Sequence, residues 1–497
     1  KRQKECFVVL GNQLFDKKYL TEFKNSCDFF IQEDMGLCSY FKHHKQKIYY
    51  FLASMREYRD YLKKNNFKVN YISLDKNISN FKDYFAGLKS FLSKKNISKI
   101  NIFEIEDLEF RIKFEQFCKN SKIELIFHKS PMFLVSRTDY KDMVTTKKPQ
   151  LANFYSNVRK SFQIFVKDNK PIGDKWSFDE DNRKRVPKGY QSPKSYTFES
   201  KYFEEIKKLI DKFFSKHFGN LEKKIIFPMN FKDSSKVLDN FISSKLENFG
   251  HYEDFVSTSD PYINHSIISA PLNIGLITPE QVLNKLSSFS YTKVGINNYE
   301  GFIRQVFGWR EFMRYLNIHY YKDFNKGNFF GNDRKLTKHW YEGTTNIPIL
   351  NDMILNLKKS GYVHHIPRLM IISNIMNLAG LKPSEVYKWF METFIDSSDW
   401  VMTPNVYGMG MFSDGGIFAT KPYLCGSNYL LKMSNYSRGD WTQTLDGLYW
   451  NFIYKNKNYF KTNQRLSMMY YTVNKMDKSK ISTHISNAKK FIKEYTR

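Results

Sequence analysis

Thiols are scarce in this sequence: five cysteines, Cys6, Cys27, Cys38, Cys118 and Cys425, stand among 497 residues, and no two are spaced Cys-x-x-Cys. An odd, scattered set supports neither a disulfide framework nor a zinc finger, and a reducing compartment is expected. Long apolar runs are missing as well, so no segment approaches the roughly 18 residues that a membrane-spanning helix needs. No basic stretch followed by an apolar one opens the sequence, and a cytoplasmic protein with no membrane span is expected. Acidic residues are outnumbered, 50 Asp+Glu against 78 Lys+Arg, for a formal charge of +28. A surplus of that size favours polyanionic partners: nucleic acid, anionic membrane or acidic protein.

Aromatic side chains are abundant, at 17% of the residues. Stacking on bases or on a planar cofactor would use what the core does not. Five short apolar runs (Cys6–Leu10, Asp28–Gln32, Lys68–Leu74, Lys99–Phe103 and Lys122–Phe127) alternate mostly with amphipathic segments and read as βαβ units. After His43 the stripe Lys47, Ile48, Phe51, Leu52, Met55, Tyr58, Leu62 is helical and would cover one sheet face. A Rossmann-like, doubly wound parallel sheet over residues 1–132 is the economical solution, with any ligand at the carboxyl ends of its strands. The first turn is Gly11-Asn12-Gln13 and not G-x-G-x-x-G, so a dinucleotide phosphate grip there is unsupported.

Residues 133–200 form a connector: five of the fourteen prolines fall between Pro131 and Pro193, and residues 141–200 hold thirteen Lys/Arg against seven Asp/Glu. This stretch reads as a solvated linker or as a basic loop along a phosphate backbone, with Arg159, Lys160, Arg183, Lys184 and Arg185 as the contacts. From 201 to 497 strand patterns give way to long helical ones, and an all-α domain is expected.

The densest chemistry lies between Tyr362 and Lys421. Pro367 is tolerated only in a first helical turn, so His364-His365 sits at or just before a helix N-terminus, where the dipole lowers an imidazole pKa. With Arg368 beside them, the two histidines make an acid–base site or serve as capping and packing groups. Downstream, Asp396, Asp399 and Trp400 precede Thr403-Pro404-Asn405 and a glycine-rich loop, where backbone approaches a ligand closely and Asp396 can pair with Arg368. Upstream, Asn264-His265-Ser266-Ile267-Ile268-Ser269 offers hydroxyls and amides to a phosphate at a helix start, or simply caps it. Within Phe302–Phe312, α-helical geometry puts Gln305, Trp309 and Phe312 near one face and turns Arg310 about 100° away. That arrangement suits stacking and edge recognition of a base or flavin, or core packing.

In this order and spacing, Phe302–Phe312, His364–Met370, Trp400–Asn405, Phe412–Gly416, Lys421-Pro422-Tyr423 and Met433-Ser434-Asn435-Tyr436 resemble the photolyase/cryptochrome superfamily, and within it the bacterial (6-4) photolyase branch. Gly11-Asn12-Gln13-Leu14, His43-His44-Lys45, Ser54-Met55-Arg56 and Lys175-Trp176-Ser177-Phe178-Asp179 extend the resemblance over nearly the whole chain. It implies an α/β antenna domain, an interdomain loop and a helical domain holding a U-shaped FAD. By motif, Ser266 and Ser269 would hold the pyrophosphate, Arg310 would lie by the flavin, Arg368 and Asp396 would pair beside its isoalloxazine, and Asn405 would face its N5 edge. Gln305 and Trp309 would border the lesion pocket. His365 would be the proton donor, supported by His364, with Leu369 standing where eukaryotic relatives place a further histidine. Trp400 would be the flavin-proximal electron donor, with the next carrier near Trp340 or Tyr341. The activity so implied is light-driven electron transfer from reduced FAD to a (6-4) photoproduct in UV-damaged DNA, performed by a monomer. The alternatives under the same resemblance are a blue-light cryptochrome and a cyclobutane dimer photolyase.

Two departures from the branch pattern bear on cofactors. Its members normally carry a [4Fe–4S] cluster on four cysteines; here the matching positions read Ser437, Asp440, a residue near Gln443 and Leu283. With Cys425 the only thiol after Cys118, four-thiolate ligation in the helical domain is excluded and no cluster is expected. Tyr436, Ser437, Trp441 and Trp450 would pack in its place. Relatives also hold a 6,7-dimethyl-8-ribityllumazine antenna near the first strand ends. Asn12, Gln13 and Glu33 stand at those positions, Asn12 replacing an Asp, while Leu37 replaces a Glu.

Overall fold

The computed structural model describes residues 4–34 and 40–497; Leu37 and Cys38 lie outside them. Each of the five apolar runs becomes a strand: β1 (Glu5–Val8), β2 (Cys27–Gln32), β3 (Val69–Ile72), β4 (Lys99–Phe103) and β5 (Glu124–His128). They pair in parallel in the order β3-β2-β1-β4-β5, with Val8 beside Phe30 on one side and Ile102 on the other. Because side chains alternate along a strand, Phe7, Phe29 and Ile31 enter one core and Cys6, Val8, Phe30, Ile100 and Ile102 the opposite one. Helix α1 (Lys45–Lys64) covers the first face through Ile48, Leu52, Met55 and Leu62. On the second face lie α2 (Tyr84–Lys95) and α3 (Leu108–Asn120), through Leu88, Phe91 and Phe114. The doubly wound α/β reading therefore holds.

The start of α1 ties this layer to the rest of the chain. His44 Nδ1 accepts from the Gln46 amide at 2.9 Å, capping the helix, and its Nε2–H donates to the Leu357 carbonyl at 2.8 Å. Burial lowers its pKa to about 4, which keeps the ring neutral. Gln46 Nε2 reaches the carbonyls of Asn220 and Lys359, and Lys47 Nζ reaches Ser397.

The segment from 133 to 200 departs from the solvated-linker reading. It contains a helix at Tyr140–Met143, a second at Leu151–Phe162 and a two-stranded hairpin at Val166–Pro171. Phe154, Tyr155 and Val158 are buried in the same core as Phe7 and Phe312. The amphipathic period of residues 151–162 overrides the basic composition, because three apolar positions on one face suffice to bury it. Arg159, expected on DNA, is buried: its guanidinium donates to the carbonyls of Ile164, Phe165 and Trp176. Lys160 and Arg183 are exposed, with Arg183 paired to Asp179 at 2.8 Å, and Arg185 donates to the carbonyls of Leu431 and Lys432.

Beyond residue 200 the described chain is helical, apart from isolated bridges such as Val256 with Ser434. Cys6, Cys27, Cys118 and Cys425 are free and buried, and no group of three metal-ligating side chains occurs among the described residues. No described helix is long and apolar enough to cross a membrane. Tyr436 Oη donates to Asp352 at 2.6 Å and Trp441 Nε1 to the Ser437 carbonyl at 2.9 Å. Leu283 packs against the core shared with the sheet, whereas Tyr436 and Trp441 belong to the C-terminal core. The helix Pro348–Ser360 meets the segment before Ser437 through the Asp352–Tyr436 hydrogen bond.

Candidate functional site

Three helices pass through a wider, π-helical turn at the same place: Arg304–Trp309, Pro367–Ser373 and Pro404–Gly410. Such turns insert a residue into the ladder and occur often at functional sites. Here all three line one cavity of about 310 Å³. Eleven of the expected residues meet on its wall: Ser266, Ser269, Gln305, Trp309, Arg310, His364, His365, Arg368, Asp396, Trp400 and Asn405. Arg310, which ideal α geometry turns away from Gln305 and Trp309, lines the cavity with them because the turn between them is π-helical. Phe312 does not join; it is fully buried in the core.

Arg368 and Asp396 form a bidentate pair, Nη1 to Oδ1 at 2.9 Å and Nη2 to Oδ2 at 2.8 Å. The Phe394 ring lies 4.3 Å from the guanidinium, and Arg368 Nε is held by the Val363 carbonyl. Ser269, expected at a pyrophosphate, donates its hydroxyl to Asp396 Oδ2 at 2.6 Å, so in this structure it serves the ion pair. Asn405 Nδ2 donates to the Val401 carbonyl. Arg310 donates to the carbonyls of Met132 and Leu272, its Nε is buried without a partner, and burial lowers its pKa to about 10.

His364 and His365 stand where Pro367 places them, one just before and one at the start of a helix. The His365 ring is open to the cavity yet enclosed by protein, and this desolvation, with Arg368 nearby, lowers its pKa to about 4. Burial holds His364 well below the usual imidazole range. Trp400 is buried with its Nε1 unpartnered, its ring edge-on to Phe133 at 4.9 Å. Trp340 and Tyr341 are not brought to it: they bond to the Tyr495 carbonyl and to Glu392, and no ring contact joins them to Trp400 among the described residues. Trp340 lies instead behind Trp389, whose indole donates to the Trp340 carbonyl and whose neighbour Phe390 lines the cavity.

Several wall residues escaped sequence reasoning. Glu253 accepts from Gln305 Nε2 at 3.0 Å and from Asn182 of the connector at 3.2 Å, and burial raises its carboxyl to about 8. His265 also faces the cavity, from a segment bracketed by Ile263 (φ 46°) and Ile267 (φ 53°). Left-handed backbone at a β-branched residue costs about 1–3 kcal/mol and collects at functional sites. Nothing in the sequence around Glu253 signalled it, whereas His265 was visible beside the two serines.

At the antenna positions, two of the three side chains are engaged within the protein. Gln13 Nε2 donates to the carbonyls of Phe103 and Glu104, and its Oε1 accepts from the Leu10 amide. Glu33 is buried and accepts from Arg56, Tyr71 and the Leu74 amide. Both side chains bond inside the protein, and Asn12 is half-exposed.

Comparisons with known proteins agree with this geometry. Residues 7–225 match the family model described as deoxyribodipyrimidine photo-lyase-related protein, and residues 302–437 match that for the FAD binding domain of DNA photolyase. A (6-4) photolyase of Agrobacterium fabrum is 31% identical over 491 residues, spanning 94% of this chain and 95% of that protein. Among solved structures, a bacterial class III photolyase from Agrobacterium tumefaciens superposes over 99% of this chain and 98% of its own, with a TM-score of 0.56 at 15% identity. A cryptochrome from Synechocystis sp. PCC6803 covers 99% of this chain and 100% of its own, with a TM-score of 0.61 at 13% identity. With such identity along almost its whole length, two matching family models and the motif residues gathered around one cavity, the chain belongs to the photolyase/cryptochrome superfamily, in its bacterial (6-4) photolyase branch.

Proposed function

We propose that this protein is a light-driven (6-4) photolyase that repairs pyrimidine-pyrimidone (6-4) photoproducts in UV-damaged DNA. The observation that carries the reading is the meeting of His365 with the Arg368–Asp396 pair on one enclosed wall. The residues present fit FAD: the lining is largely apolar, through Ile267, Leu272, Met313, Phe390 and Met409, with a few convergent polar groups. Arg368, Asp396, Arg310, Asn405 and Ser266 would hold the cofactor. When bound, reduced FAD supplies the photoexcited electron that opens the lesion. Around that event the chain binds, orients and donates a proton. Gln305 and Trp309 border the lesion pocket, and His365 gives its proton to the oxygen that must return to its parent base. Burial, with Arg368 beside it, disfavours a charge on His365, so a proton taken up there is readily given away.

A flipped-out lesion costs a few kcal/mol of unstacking, offset in part by strand contacts from the basic surface, to which Lys160 and Arg183 contribute. The protein would work as a monomer without a [4Fe–4S] cluster, with packing and hydrogen bonds such as Tyr436–Asp352 and Trp441–Ser437 serving in its place. Illumination of the FAD-loaded protein with an oligonucleotide carrying one (6-4) lesion tests the reading. Lesion loss should require light and vanish in His365→Ala; photoreduction without any lesion loss in the parent protein would make it a photoreceptor.

A further inference from the structure

The proposed reaction uses His365 and leaves another buried imidazole of the same cavity without a task. His265 arrives from the strained segment between Ile263 and Ile267, and its ring lies face to face on that of His364. The centroids are 4.2 Å apart and the planes 20° apart. The backbone at Glu253 favours a charge on His265 and the backbone at Phe255 a charge on His364, each against the larger effect of burial. His265 Nε2 and His364 Nδ1 are buried and without a partner. Each ring therefore carries an unpartnered nitrogen, and each packs flat on the other.

Stacking at this separation is favourable for two neutral imidazoles and opposed for two charged ones, since like charges repel strongly in an enclosed, poorly solvated site. The surroundings add to that constraint. Burial comes first; then Lys245 and His365 face His265, countered by Asp260, while His365 and Arg368 face His364. His365, opposed by Arg368 alone, is lowered least, to about 4 against about 3 for His265.

We propose that His265 is a positioning residue whose ring, clamped on His364, holds that imidazole neutral and in one orientation, so that a proton taken up by the histidine wall goes to His365. This deepens the (6-4) photolyase reading and rests on it.

Two measurements on the full-length, FAD-loaded protein decide it. Nitrogen-15 spectra of labelled histidines between about pH 5.5 and 8.5 should show His364 as one neutral tautomer throughout; a charged or tautomer-averaged His364 overturns the proposal. Single-flash repair of a (6-4) oligonucleotide should fall about tenfold in His265→Ala, with His364 gaining its own titration. His265→Phe, which restores a ring without nitrogens, should recover most of the yield and the one-proton profile. Unchanged yield and profile in His265→Ala, or no recovery in His265→Phe, overturns the proposal. Should His265→Ala fail to fold, the spectra and His265→Phe still decide. A parent protein that repairs no (6-4) lesion defeats the photolyase reading instead, and the His364 spectra are read independently of it.

Discussion

Lys47, in the first turn of α1, donates to both the carbonyl and the hydroxyl of Ser397, at 2.8 and 3.0 Å, and Ser397 follows Asp396 in the chain. An ammonium from the sheet layer thus fixes the backbone beside the ion pair at the cavity. Lys47→Met, which keeps the stem and removes the charge, should loosen Asp396 and speed the loss of FAD without unfolding the protein. Flavin release followed by fluorescence checks this; an unchanged release rate would show that the contact is structural only.

Asp396→Asn leaves the Arg368 guanidinium in a largely desolvated wall with half its partner gone. Breaking a buried pair in this way costs about 3 kcal/mol, and Asp396 is only 4% exposed. We expect a lower urea midpoint and FAD-free protein on purification. Retention of both would mean that Ser269 and Asn273, which also bond Asp396, carry the segment alone.

Acid should destabilise the fold through His44. Its folded pKa is near 4 while an unfolded imidazole titrates near 6.5, so between these values the unfolded chain binds the extra proton. Its contribution is complete above pH 6.5 and is lost as the pH falls, by about 3 kcal/mol in all. Urea midpoints measured from pH 7.5 down to about 4.5 should decline, and His44→Asn should flatten the decline.

Arg159 and Arg183 should behave oppositely despite sharing the basic connector. Arg159→Ala removes three hydrogen bonds to backbone carbonyls and should cost about 3 kcal/mol of stability. The salt dependence of DNA binding should stay as it was. Arg183→Ala should leave stability nearly intact and reduce the salt slope by about one.

Strand alternation along Cys6–Leu10 and Asp28–Gln32 and the stripe of α1 were legible because period and burial agree there, and the sheet followed. The cavity was legible through Pro367, which fixes where the histidine helix starts, and through the motif residues around it. Arg159 was misread because composition reports charge and not whether a neighbouring carbonyl sits within reach. Arg310 was turned the wrong way because a π-helical turn leaves no mark in a 3.6-residue period. Glu253 meets Gln305 only through tertiary packing, across 52 residues of sequence.

The helix Leu151–Phe162 lies in one continuous core with Phe7 of the sheet and Phe312 of the helical part. Within that core no seam separates the sheet from the helices packed on it. Proteolytic nicking in the connector should release no folded half, and heating should melt the sheet and the helices packed on it in one transition.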